Sequence, residues 1–190
     1  PYVRNLFFND SRAFFSRRYG RAVPGAAFVF HEWMCNFSGN QCGCKNDPFF
    51  RMAYSFHCGD MMSVVLGDGG KMISAWTTPW SDVPPDQDRM TAMIRSMNDL
   101  RKRYPDFLFD GRMISPFAEV SSELFSDGDS RLERKYPAVL SSFWESARGA
   151  RIGFLTNWRG VTSTAVVVRG GRREELTLKP YETLVLAAER

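Results

Sequence analysis

The sequence predicts a chain in two parts, an α/β part followed by an all-β part. Three observations predict it. A continuous apolar run, Ala26-Ala27-Phe28-Val29-Phe30, follows the Pro24-Gly25 turn and ends abruptly in His31-Glu32-Trp33. A helical pattern follows Pro84-Pro85-Asp86, with Met90, Met93, Ile94, Met97 and Leu100 at i, i+3, i+4, i+7 spacing. Beyond Pro116, short β-like runs alternate with Gly-rich turns, the texture of an antiparallel sandwich.

The apolar run predicts a strand buried on both faces, as in a parallel sheet. In such sheets the carboxyl end of the strands is the rim where ligands bind. An imidazole, a carboxylate and an indole at that end make Glu32 a candidate working carboxylate and Trp33 an aromatic platform beside it. The competing reading takes Glu32 as the first solvated residue of a loop and His31 as a hydrogen-bonded structural histidine.

The other elements follow in order. Residues 1–20 carry Leu6, Phe7, Phe14 and Phe15 at near-helical spacing, with Asn9-Asp10-Ser11 as a cap and Gly20 as a stop. Residues 34–48 are rich in Gly, Asn, Ser and Cys and read as a loop. Phe49 to Phe56 reads as a helix leading into the turn His57-Cys58-Gly59-Asp60, and Asp68-Gly69-Gly70 is a second turn. Residues 71–85 form an aromatic-rich loop with Trp76 and Trp80. The helix after Pro84-Pro85 has Asp86 and Asp88 at its positive end, Arg101-Lys102-Arg103 at its negative end, and a stop at Tyr104-Pro105. Its methionine stripe is core, not a metal box. Asp110-Gly111 is a turn between short segments. Strands are expected at 117–125, 138–144, 151–158, 163–169, 174–178 and 183–187. The domain boundary falls near Pro116, giving 1–115 and 116–190, with no internal repeat.

Composition bounds the function. A hydrophobic content of 44% with 14% aromatics fits a core-bearing chain rather than a disordered one. The net charge of +4 comes from scattered pairs and triplets of basic residues, which argues against a nucleic-acid partner. No apolar run is long enough to span a bilayer. The chain opens at Pro1 in helical-looking sequence, which suggests a piece of a longer protein; localisation is not legible.

The order of parts resembles the carboxyl-terminal region of TIM-barrel glycoside hydrolases and their relatives. The resemblance is carried by FVFHEW (28–33), HCGD (57–60), the helix ending RKRYPDFLFDGRM (101–113), IGFLTNW (152–158) and the closing LTLKPYETLVL (176–186). It implies the terminal strands and helices of a (β/α)8 barrel followed by a small antiparallel β-sandwich, with the rest of the parent barrel upstream. A whole barrel takes about 250 residues. It also implies a carbohydrate substrate and O-glycosyl hydrolysis, without a cofactor or metal.

Glycosidic hydrolysis needs two carboxylates flanking the anomeric carbon. Glu32 fits one place and Asp60 is the weaker second candidate, for which a turn or cap role is the stronger reading. His31, Trp33, His57, Trp76 and Trp80 are candidates for bonding to and stacking on sugar rings. Cys35, Cys42, Cys44 and Cys58 with the two histidines offer a rival chemistry, but their spacing matches no zinc motif, and unligated or disulfide-bonded cysteines are favoured. Cys42 and Cys44 are too close to bridge comfortably. Two alternatives to an enzyme stay open: a non-catalytic carbohydrate-binding module, and a metal- or disulfide-stabilised interaction domain.

Overall fold

Successive residues of a strand point to opposite faces, so a strand buried at nearly every position needs cover on both. Val139–Glu145 and Arg151–Asn157 are such strands, and the rest of the architecture supplies their two covers. The computed structural model describes residues 5–8, 28–29, 31, 35–38, 48–62, 64–66, 68–73, 86–126 and 135–187.

In chain order the elements are β1 (Asn5–Phe8), β2 (Cys35–Ser38), α1 (Pro48–His57), β3 (Val65–Leu66) and β4 (Met72–Ile73). Next come α2 (Gln87–Arg103), α3 (Pro105–Leu108), β5 (Arg112–Met113), β6 (Glu119–Ser122), β7 (Leu124–Ser126) and β8 (Lys135–Pro137). The last five are β9 (Val139–Glu145), β10 (Arg151–Asn157), β11 (Ser163–Arg169), β12 (Arg172–Leu178) and β13 (Thr183–Ala187). A four-stranded sheet has the order β13-β10-β9-β5, and a three-stranded sheet the order β12-β11-β6. Both are antiparallel throughout.

The alternation divides the four-stranded sheet cleanly. Leu140, Trp144, Ile152, Phe154 and Val185 join a core with Phe50, Phe56, Met90, Met93, Met97 and Leu108 of the helices. Val139, Phe143, Leu155, Leu184 and Leu186 join a second core with Ala165, Val167 and Leu178 of the three-stranded sheet. The molecule is thus layered as helices, four-stranded sheet, three-stranded sheet. Gly153 makes room within the second layer, since a Cβ there would meet the Phe143 ring at 3.0 Å.

The helices form where the local signals place them. Asp86 caps α2 by accepting from the Arg89 N–H at 3.0 Å, and its methionine stripe is buried. Pro105 starts α3 directly after Tyr104.

The expected α/β barrel end is corrected by this architecture. Among the described residues only β1–β2 pair in parallel, and no strand–helix–strand repeat of a (β/α)8 barrel is present. Phe28 and Val29, read as the centre of a buried strand, are helical and exposed. A run of five apolar residues suits a buried helix segment or a strand equally, so the run carried no period to decide between them. Leu6 and Phe7, read as helical, lie in β1, and Cys35–Ser38, read as loop, is β2. Their pairing joins residues about 30 apart, which no local pattern signals.

The sandwich turns are tied by one side chain. Asn157 is fully buried. Its Nδ2 donates to the carbonyls of Val161 (2.7 Å), Lys179 (2.9 Å) and Leu178 (3.3 Å). Its Oδ1 accepts from the Arg159 N–H and the Ser163 hydroxyl, each at 3.0 Å. The link after β10 and the link after β12 are therefore held to each other by one amide. Removing it takes the partner from the buried Leu178 carbonyl and from two part-buried ones, and a buried group left unpaired costs about 1–3 kcal/mol. Asn157→Ala is expected to destabilise the fold by about 3 kcal/mol, read as a lower urea midpoint; a loss under about 0.5 kcal/mol would contradict the tie.

Candidate functional site

The turn after α1 is the meeting point of the described candidate residues. The helix ends at His57, and the chain reverses through Cys58 and Gly59, with the Gly59 N–H on Phe56 O (2.9 Å) and the Asp60 N–H on Ser55 O (3.0 Å). Gly59 has φ +73°, which an L side chain rarely adopts, and a Cβ there would lie 2.2 Å from His31 Nε2 and 2.6 Å from Trp144 Cη2. This close approach lets the imidazole lie on the turn.

His31 is buried and bridges two turns that are far apart in sequence. Its Nδ1 lies 3.0 Å from Gly111 O and its Nε2 3.2 Å from Gly59 O. Its ring packs edge-on against Trp144, with centroids 4.6 Å apart. Arg101, buried on the last turn of α2, donates from Nη2 to the same Gly59 carbonyl. Only a protonated ring donates to both carbonyls, so the geometry favours the cation. Burial opposes it and dominates, with Arg101 also repelling, and the pKa lies below the ordinary histidine value. A neutral ring that donates from Nδ1 to Gly111 fits this, because Arg101 already satisfies Gly59 O.

His57 lies one turn from His31 but in a separate bond chain. Its Nδ1 is 2.8 Å from Ser142 Oγ, which also accepts the Trp144 indole N–H at 3.0 Å. Its Nε2 is buried with no hydrogen-bond partner among the described residues. Enclosure in this apolar layer lowers its pKa to about 3, so the ring is neutral across the physiological range.

Asp60 is 6% exposed, in the same turn. His31, His57 and Asp60 are therefore brought together around Gly59, inside the protein rather than on an open surface. Glu32, Trp33, Trp76 and Trp80 lie outside the described residues, as do Cys42, Cys44 and the side chain of Cys35. Cys58 is buried. Among the described residues, no three His, Cys, Asp or Glu side chains are grouped to hold a metal ion.

Sequence reading passed over Gly59, Arg101, Gly111, Ser142 and Trp144 as members of this cluster. Gly59 and Gly111 were visible as turn glycines, and Arg101 as a charge at a helix end. Nothing local linked them.

A second polar centre closes the far end of β9. Glu145 accepts from Arg112 through Oε1 and from Arg151 through Oε2 (2.8 Å), its neighbours across the β5–β9 and β9–β10 ladders. The Arg112 bond, then the Arg151 bond, hold its carboxyl below the usual carboxylate range.

The described residues thus define a β-rich protein in which helices cover one face of a sandwich-like pair of sheets. No protein-family model, curated protein or solved structure matches this chain. No helix among the described residues is long and apolar enough to cross a membrane.

Two outcomes test the cluster. Gly59→Ala combines a strained φ with displacement of His31 and Trp144, and is expected to cost about 3 kcal/mol of stability in urea unfolding. Acid is expected to weaken the fold through His57. The unfolded imidazole titrates near 6.5 and the folded one near 3, so the full contribution is present above pH 6.5 and is lost as pH falls toward 3. Its slope is about 1.4 kcal/mol per pH unit, and His31 acts in the same direction. NMR of the folded protein should show His57 ring signals flat from neutral pH to about pH 5; a midpoint near 6.5 would refute the enclosure.

Proposed function

We propose that this chain acts on carbohydrate as a glycoside hydrolase-like protein, with Glu32 as the active-site carboxylate. The observation that supports this reading is the anchorage of the residue before Glu32. His31 is buried, bonded through Nδ1 to the Gly111 carbonyl and packed against the Gly59 turn and the Trp144 ring. A carboxylate that protonates a leaving oxygen or attacks an anomeric carbon must be held to within a fraction of an ångström, and a side chain pinned by buried hydrogen bonds gives the backbone that rigidity. Trp33 beside it suits the C–H face of a pyranose. His57 and Asp60 then serve as supports, because burial keeps the first neutral and the second away from solvent.

This enclosure also favours one other reading, a module that binds sugar without cleaving it. The two separate by turnover. The purified protein is expected to hydrolyse an aryl glycoside from a panel of nitrophenyl sugars, and Glu32→Gln to lower kcat by about a hundredfold or more. Unchanged turnover in that variant removes Glu32 from the chemistry. Calorimetric binding of oligosaccharide with no hydrolysis of any glycoside supports the binding module instead.

A further inference from the structure

The two sheets leave a gap at one edge. The β11–β12 ladder runs to Ser163 opposite Leu178, whereas the β11–β6 ladder stops at Ala165 opposite Ser122. Beyond that point β6 turns away through Glu123, whose carbonyl accepts the Ala138 N–H at 2.8 Å. The start of β11 therefore keeps an edge that β6 does not cover. A cleft of about 410 Å³ occupies the gap, bordered by Ser121, Ser122, Glu123, Thr162, Ser163 and Thr164 over a small apolar floor.

The chemistry of this lining is selective. Five of the six side chains are hydroxyls and one is a carboxylate. Ser122 Oγ accepts from the Val139 N–H (3.1 Å), which leaves its proton to donate. Ser163 Oγ donates to Asn157 Oδ1, which leaves its lone pairs to accept. The hydroxyls of Ser121, Thr162 and Thr164 make no hydrogen bond among the described residues and keep both functions. Glu123 is 72% exposed, and its ion pair with Arg159 is long at 3.9 Å.

These facts exclude most occupants. Among the described lining residues no Lys or Arg is present to hold a phosphate or carboxylate, and the nearby Arg159 is turned to Glu123. No aromatic ring is present among the described lining residues to stack on a nucleobase. The uncovered edge is two residues long, which gives an added peptide strand few backbone hydrogen bonds to hold it. What matches a wall of paired donors and acceptors with one carboxylate is a neutral polyhydroxylated molecule, whose hydroxyls donate and accept in the same way. The volume lies within the range of small-molecule sites.

We infer that this cleft between β6 and the start of β11 is a binding site for a neutral sugar or polyol of about one ring. The site does not depend on the proposed role of Glu32. His31 and the cleft are reached from opposite sides of the four-stranded sheet: Trp144, the ring partner of His31, faces the helices, and Ala138 on the cleft floor belongs to the core between the sheets.

The test is amide-shift mapping of the intact protein with glucose, galactose, mannose, xylose, N-acetylglucosamine and glycerol, each raised into the millimolar range. Saturable shifts are expected at Ser121, Glu123 and Thr164 for at least one of these probes. Ser121→Ala with Thr164→Val removes two exposed hydroxyls at nearly constant shape and is expected to weaken that binding by about tenfold or more. Glu32→Gln should leave it unchanged, so failure here and failure of the hydrolase reading are distinguishable. No saturable shift at these residues with any probe overturns the inference, as does binding that the double variant leaves intact. An unchanged urea midpoint for the double variant shows that a lost shift reports the site and not the fold.

Discussion

The four-stranded sheet must be covered on both faces, and the rest of the structure depends on this requirement. Its central strands β9 and β10 carry large apolar side chains on each side, with Trp144, Phe154 and Leu155 at full burial. At about 25 cal/mol per Å², such side chains are worth a few kcal/mol each only when water is excluded from both faces. The helices supply one cover and the three-stranded sheet the other. Because the core between helices and sheet draws on Phe50, Met93 and Phe154 together, the helical segment and the β segment share their hydrophobic stabilisation. Truncating Trp144, the largest of the buried side chains, would strike the layer where these parts meet.

Polar groups inside such a layer are held to strict terms. An unpaired buried donor or acceptor costs about as much as a hydrogen bond in a mutational series returns. The cluster around Gly59 meets most of this requirement by crossing the chain: the imidazole of His31 reaches the Gly111 carbonyl, the guanidinium of Arg101 the Gly59 carbonyl, and Ser142 links His57 to Trp144. His57 Nε2 has no hydrogen-bond partner among the described residues, and burial keeps its ring neutral. Both histidines of the chain are thus buried within the helix-to-sheet contact, and each stabilises the fold most in its neutral form. Asn157 does for the sandwich turns what this cluster does for the helical side.

This arrangement separates support from chemistry. The candidate residues with fixed positions are buried, and a buried group meets a sugar only indirectly, by holding a neighbour in place. Under the proposed hydrolase reading, the chemistry falls to the residue after His31 and not to the buried candidates themselves. On the other side of the sheet, the early end of the β6–β11 ladder opens a hydroxyl-lined cleft whose chemistry suits the same class of ligand.

The sequence by itself determined the elements whose signals are local. Helix α2 was legible because Asp86, the methionine stripe and the terminal basic triplet agree on one period and one direction. The strands after residue 138 were legible because Gly-rich turns cut them to length, and their observed bounds differ from expectation by about two residues. The tertiary structure alone decided which sheet each strand entered, because hydrogen-bond partners in a ladder are chosen by distant residues, as with Arg112, Glu145 and Arg151. It also decided against a barrel end: Ala26 to Phe30 has apolarity without a period, and Phe28 and Val29 are helical and exposed. The meeting of His31 with Gly59 and Gly111 was illegible for the same reason. Residues 31, 59 and 111 share no local pattern, and only packing brings two glycine turns within hydrogen-bonding distance of one imidazole.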